Sequence, residues 1–196
     1  MHKFLFPLFA LLILANVLIP ARQVEQEVLR LHVLANSNTR HDQQLKHAVR
    51  NEILKQCGFL FETCSDAEDA TQIAQEHSGF IGSVARKELI RQGCLHPVSV
   101  RVGKTRFPTK RYGTVRLPQG RYTALEIRIG QGQGQNWWCV MYPPLCLTGE
   151  VVSADHATME QLKTHLSPSA YAMITEETHI TPVFRFKIAE ILGKWL

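Results

Sequence analysis

The 196-residue sequence lacks several features that would point directly to a chemistry. Its five cysteines contain no Cys-x-x-Cys pair, so a zinc ribbon or a thioredoxin-like redox site has little support. No internal repeat or low-complexity tract is present, which sets aside solenoids and disordered tails. Negative charge is missing from a whole stretch. From Leu89 to Leu125 there is no Asp or Glu, while Arg91, Arg101, Lys104, Arg106, Lys110, Arg111, Arg116 and Arg121 supply eight cations. The longest apolar run, Phe4 to Ile19, has 16 residues interrupted by Pro7 and Asn16. That is shorter than the ~20 a spanning helix needs. At 45% apolar and 20% charged, the remainder reads as a folded, mildly basic globular domain.

The head of the chain decides the compartment. Met1-His2-Lys3 followed by the Phe4 to Ile19 run has the positive start and short apolar core of an export signal. Residues 1–21 are therefore assigned as an export signal or a retained signal anchor, and residues 22–196 as a single exported domain. Ile19-Pro20-Ala21 is the cleavage candidate, with Ala in the last position but a bulky Ile two before it. Outside the cytosol a disulfide is permitted. An odd number of cysteines leaves at least one unpaired if the others pair within the chain. Cys139 and Cys146 flank the Pro143-Pro144 turn, and a bridge between them would stabilise by about 2–3 kcal/mol. Buried thiols are the alternative, and the same choice applies to Cys57, Cys64 and Cys94.

The body predicts a mixed domain. Leu29, Leu31, Val33 and Ala35 alternate as a first strand within Val28 to Ala35. Asn36-Ser37-Asn38-Thr39 supplies turn and cap residues for a helix carrying Leu45, Ala48, Val49 and Ile53, with Gly58 as its stop. A second helix starts at the capping box Ser65-Asp-Ala-Glu68 and carries Ile73, Ala74, His77, Ile81 and Val84 to a stop at Gly93. Gly79 and Gly82 within it predict close packing on a neighbour. Strands follow at Val98 to Val102, Tyr112 to Leu117 and Leu125 to Ile129. Helices return at Thr158 to Leu166, Pro168 to Thr175 and after Pro182. This order predicts an α+β fold, a mainly antiparallel sheet with helices packed on one face.

Candidate chemistry concentrates between Gly130 and Cys146. Gly130, Gly132 and Gly134 alternate ahead of Asn136-Trp137-Trp138-Cys139. A phosphate-cradling loop does not fit, because neither Lys-Ser/Thr nor a helix start follows. A catalytic Cys139 would need a histidine partner, and the nine histidines show no local signature. Nothing resembles a paired-carboxylate or metal site, so no metal, cofactor or small-molecule substrate is expected. The acid-free stretch with Phe107, Tyr112 and Tyr122 has the composition of a nucleic-acid surface, but export argues for an anionic membrane surface or an acidic protein face instead. A solvated hairpin edge whose cations block sheet-to-sheet pairing explains it equally.

Five blocks carry a family resemblance. They are Leu29-Arg-Leu-His-Val-Leu-Ala-Asn-Ser37, then Asp42-Gln-Gln-Leu-Lys46 with Val49-Arg50, then Phe107-Pro-Thr-Lys110 with Tyr112-Gly113, then the run from Gly132 through Asn136-Trp-Trp-Cys139 to Pro143-Pro-Leu-Cys146, and Phe184-Arg-Phe-Lys-Ile-Ala-Glu190. In this order they resemble stage II sporulation protein R. The resemblance implies an exported signal of endospore-forming bacteria, made in the forespore and sent into the space between forespore and mother-cell membranes. There it would switch on a membrane-embedded aspartic protease that removes the pro-sequence of the early mother-cell sigma factor. The chain would then be an activating ligand and not an enzyme. Its expected contact residues are Asn136, Trp137, Trp138 and Tyr142 beside a Cys139 to Cys146 loop, with Phe107, Lys110, Arg111 and Tyr112 as a second set. The competing expectation is an exported cysteine-dependent hydrolase or transferase of the cell envelope, with Cys139 as nucleophile.

Overall fold

Thr39 begins the first helix as the sequence predicts, its side chain accepting the Asp42 N–H while Asp42 sits in the positive first turn. The computed structural model describes residues 20–145 and 156–175. Most of the 1–21 head, Cys146 and the segment after Pro182 lie outside them. Chain order runs β1 (Leu29–Leu34), α1 (Arg40–Cys57), a 3-10 turn (Gly58–Phe61), α2 (Ala67–Glu76) and α3 (Ser78–Arg91). It continues with β2 (Val98–Phe107), β3 (Lys110–Tyr112), β4 (Val115–Leu117), β5 (Gly120–Ile129), β6 (Asn136–Tyr142), α4 (His156–His165) and α5 (Pro168–Thr175).

The fold is α+β, but the sheet is mixed. Its order is β2-β5-β1-β6. β2 pairs antiparallel with β5 and β6 antiparallel with β1, whereas β1 and β5 run parallel. Parallel neighbours cannot be joined by a tight turn, and the helices with β2 to β4 intervene between β1 and β5. Three local expectations change as well. The second predicted helix is two, divided at His77, and its N-cap is Asp66, whose side chain accepts from Glu68 N and Asp69 N. Tyr112 to Leu117 is not one strand but a two-stranded hairpin, β3 with β4, turning at Gly113 (φ 58°). Asn136–Tyr142, given no element by the sequence, is a strand at the edge of the described sheet.

Register sorts the side chains onto two faces. Val33 lies beside Ile127 and Trp137, and Leu31 beside Leu125 and Cys139. These face α1 and α3, where Gly82 lets α3 close on β2: a Cβ there would stand 3.2 Å from Val100 Cγ2. Gly79 meets nothing within 4 Å, so only one of the two glycines serves packing. On the other face Arg101, Glu126, His32 and Trp138 form a row across all four strands. Because β1 is internal, its second face is buried too: Arg30 is 0% exposed and His32 5%.

The glycine-rich run docks on the loop between β1 and α1. Gln131 N and Gln135 N donate to the Asn36 and Asn38 side-chain oxygens at 3.0 and 2.7 Å. Gln133 N and Gly134 N donate to the Asn36 and Ala35 carbonyls at 3.1 and 2.9 Å. Gly134 must lack a side chain, because a Cβ would lie 2.2 Å from the Ser37 carbonyl oxygen. Gly134→Ala should therefore destabilise the domain by about 2–3 kcal/mol, an overpacking cost. Gly79→Ala, in open space on α3, should stabilise by about 0.5 kcal/mol. Urea midpoints of the two variants should move in opposite directions, and equal midpoints would refute this reading of the two glycines.

Candidate functional site

Adjacent residues of a strand point to opposite faces, so Trp137 and Trp138 bracket β6. Trp138 stacks on His32, centroids 6.1 Å apart, and the Lys110 ammonium lies 4.6 Å from its ring centroid. Trp137 faces α1, where the Arg50 guanidinium lies 4.0 Å over its ring and His47 meets it edge-on at 5.5 Å. Each indole thus carries a cation on its face. Both indole Nε1 atoms are buried without a hydrogen-bond partner among the described residues.

Arg30 holds the second face together. Its Nε donates to the Cys139 carbonyl at 2.7 Å and its Nη2 to Tyr112 Oη at 2.8 Å. Tyr112 Oη passes the connection on, donating to the Trp138 carbonyl at 3.0 Å. The guanidinium lies 4.3 Å from the Phe107 ring centroid, 5.1 Å from Tyr122 and 5.8 Å from Tyr112. Burial lowers the Arg30 pKa from its usual value and raises those of Tyr112 and Tyr122.

Beside this cage, Glu126 sits between Arg101 Nη2 (3.2 Å) and Arg128 Nη2 (3.4 Å), and His32 Nδ1 approaches it at 3.4 Å. Burial pushes the Glu126 carboxyl up, but the Arg101 hydrogen bond and the surrounding positive charge outweigh it, so its pKa falls below the usual carboxylate value. Burial is the largest influence on His32 and holds its pKa below normal despite Glu126.

The expected contact residues divide. Asn136 and Arg111 are exposed, and Trp137, Trp138 and Lys110 are part-exposed. Phe107, Tyr112 and Tyr142 are only 3%, 4% and 1% exposed, so they are corrected from surface contacts to buried supports. Phe107 and Tyr112 wall the Arg30 cage, and Tyr142 bonds to His165 Nδ1 at 2.9 Å. Burial pushes the Tyr142 pKa up to about 12. Cys139 is buried and disulfide-bonded, which leaves no thiolate for a nucleophile. Cys57, Cys64 and Cys94 are free and buried, with the Cys57 thiol pushed up to about 11, chiefly by burial. Among the described residues no group of His, Cys, Asp or Glu is placed to hold a metal ion. No described helix is long and apolar enough to cross a membrane.

The acid-free stretch forms two cross-strand pairs of like charge, Arg106 opposite Arg121 and Arg111 opposite Arg116, all four exposed. Arg91 and Arg101 instead find Glu88 and Glu126. Sequence reasoning missed Arg30, His32 and Glu126 as a site. The alternation of Arg30 and His32 with apolar neighbours was a signal, but it reads as an exposed strand face unless the covering hairpin is known.

These features define a class: a small α+β domain that carries aromatic and cationic side chains at the edge of its sheet. The family model for stage II sporulation protein R matches residues 25–152. A curated relative, stage II sporulation protein R of Bacillus subtilis (strain 168), is 36% identical over 123 residues, covering 63% of this chain and 55% of the relative. The chain thus spans about half the length of that relative. No solved structure matches. The chain belongs to the stage II sporulation protein R family, a family of sporulation proteins.

Burial lowers the pKa of His47 as well as His32. An unfolded histidine titrates near about 6.5. Stability held by the two neutral rings is therefore complete above about pH 6.5 and is lost as the pH falls through their lower folded-state values. The urea midpoint should drop between pH 7.5 and 5.5, and His32→Gln should flatten that slope. An unchanged slope in the variant would remove His32 from this role.

Proposed function

We propose that the chain is an exported intercompartmental signal of endospore formation. It activates a membrane-embedded aspartic protease and so triggers processing of the early mother-cell sigma factor precursor. It acts in the space between forespore and mother-cell membranes, released or tethered by an uncleaved signal. Family membership supports the sporulation role. The observation that carries the contact surface is the part-exposed Trp138 with Lys110 over its ring, next to exposed Asn136 and Arg111. Tryptophan and arginine are the residues on which binding energy concentrates. A Cys139 to Cys146 bridge would keep the end of β6 rigid and lower the ordering cost of binding.

Co-expression of the chain with the candidate protease and its sigma-factor substrate tests this reading. Processing should require this chain, and Trp138→Ala should reduce it at least ten-fold while the protein is still exported. Full processing by the variant would remove Trp138 from the contact surface.

The two arginine pairs support a second contact, with an anionic membrane surface. Cross-strand like charges destabilise a hairpin, and each cation near such a surface gains about 1 kcal/mol. The chain should sediment with phosphatidylglycerol vesicles at low salt and be released as salt rises. Neutralising Arg106, Arg111, Arg116 and Arg121 to Gln should abolish sedimentation, and salt-independent absence of binding would reject the membrane contact.

A further inference from the structure

Lys46 and Arg50 lie one turn apart on α1, both buried, and among the described residues neither is within ion-pair distance of a carboxylate. Like charges at this spacing repel, and burial strengthens the effect. The acids of α1 and α3 are already engaged. Asp42 bonds Ser37 and Asn36 and faces His96, Glu52 bonds Gln56, and Glu88 bonds Arg91 and Gln92. Lys46 is satisfied by neutral oxygens, donating to Gln43 Oε1 at 2.6 Å and to the Gln135 carbonyl at 3.1 Å.

Arg50 is less well served. Its Nε and Nη2 both donate to the single oxygen Asn51 Oδ1, at 2.8 and 2.5 Å, and its Nη1 meets His47 Nδ1 at 3.2 Å. Among the described residues, two of its five N–H groups are left over. The fork that matches a carboxylate is thus spent on one neutral amide oxygen, and Asn51 itself is exposed. Behind the fork lies Trp137, with its unpartnered Nε1, and His47 stands at the ring's side. Burial lowers the pKa of Lys46, Arg50 and His47, and the charges of Arg50 and Lys46 lower that of His47 further.

We propose that this nook between α1 and β6 receives a carboxylate from an exposed acidic segment of the protein partner. Arg50 is the receiving group, Trp137 its platform and Lys46 a supporting charge. Asn51 is the neutral stand-in that the incoming carboxylate replaces. The inference rests on reading the chain as an activating ligand, and it names the chemistry of the partner surface on the helix face of β6. It is separate from the Trp138 and Lys110 contact on the opposite face.

Asn51→Asp tests it directly, because this substitution places a carboxylate of its own where Asn51 Oδ1 sits. The variant should melt at a higher temperature than the wild-type chain, yet support at least ten-fold less sigma-factor processing in the co-expression assay. Arg50→Gln should lose processing to the same extent with its circular dichroism unchanged. If Arg50→Gln fails to fold, Asn51→Asp still decides. Wild-type processing by Asn51→Asp overturns the inference while leaving the activator reading intact. Processing that proceeds without the chain at all overturns that reading, and this inference with it. If Asn51→Asp also loses sedimentation with phosphatidylglycerol vesicles, the nook serves lipid phosphate and the carboxylate assignment is wrong.

Discussion

The rest of the second sheet face depends on one buried guanidinium. Arg30 has no carboxylate among the described residues within ion-pair distance, and a buried charge without compensation costs several kcal/mol. Three aromatic rings and a backbone carbonyl offset that cost. The partners come from separate elements: Phe107 ends β2, Tyr112 ends β3, Tyr122 lies in β5 and the Cys139 carbonyl in β6. Removing any one leaves the charge less compensated, so the small β3–β4 hairpin is held where a three-residue pairing alone could not hold it.

The same cage explains why distant sequence blocks belong together. The Leu29 to Ser37 block supplies Arg30 and the Asn36 and Ala35 acceptors for the glycine-rich loop. The Phe107 to Gly113 block supplies the cage walls and, through Lys110, the cation over Trp138. The Asp42 to Arg50 block supplies the cation over Trp137 and the Lys46 bond to Gln135. All converge on β6, so an edge strand that pairs on one side only, among the described residues, is braced from both faces.

Much of this was legible where the signal is local. Thr39 caps α1, and Gly93 leaves α3 with the positive φ that a helix stop favours. β1 was legible as a strand, since Leu29, Leu31 and Val33 alternate with polar residues. Its burial on both faces was not, because Arg30 finds Tyr112 and Cys139 at sequence separations of 82 and 109 residues. β6 escaped for a different reason. Trp137 through Tyr142 is apolar on both faces, and an unbroken apolar run carries no period to separate strand from turn. The parallel pairing of β1 with β5 joins strands far apart in the chain and leaves no mark in either strand. Among the expected contact residues, the aromatic type was a poor guide. Phe107 and Tyr112 serve Arg30, and only their place in the fold separates them from Trp137 and Trp138.

Rigidity is what this arrangement would contribute to the proposed recognition role. A strand presented at a sheet edge loses conformational freedom when a partner docks, and that loss subtracts from affinity. Here much of it is lost on folding. The Trp138 carbonyl is fixed by Tyr112, the Cys139 carbonyl by Arg30, the Cys139 side chain by its disulfide, and the Gln135 carbonyl by Lys46. Each indole is further confined by a cation over its face. The buried cations are costly to the isolated domain, yet they hold β6 in one conformation and leave its two tryptophans pre-set on opposite faces.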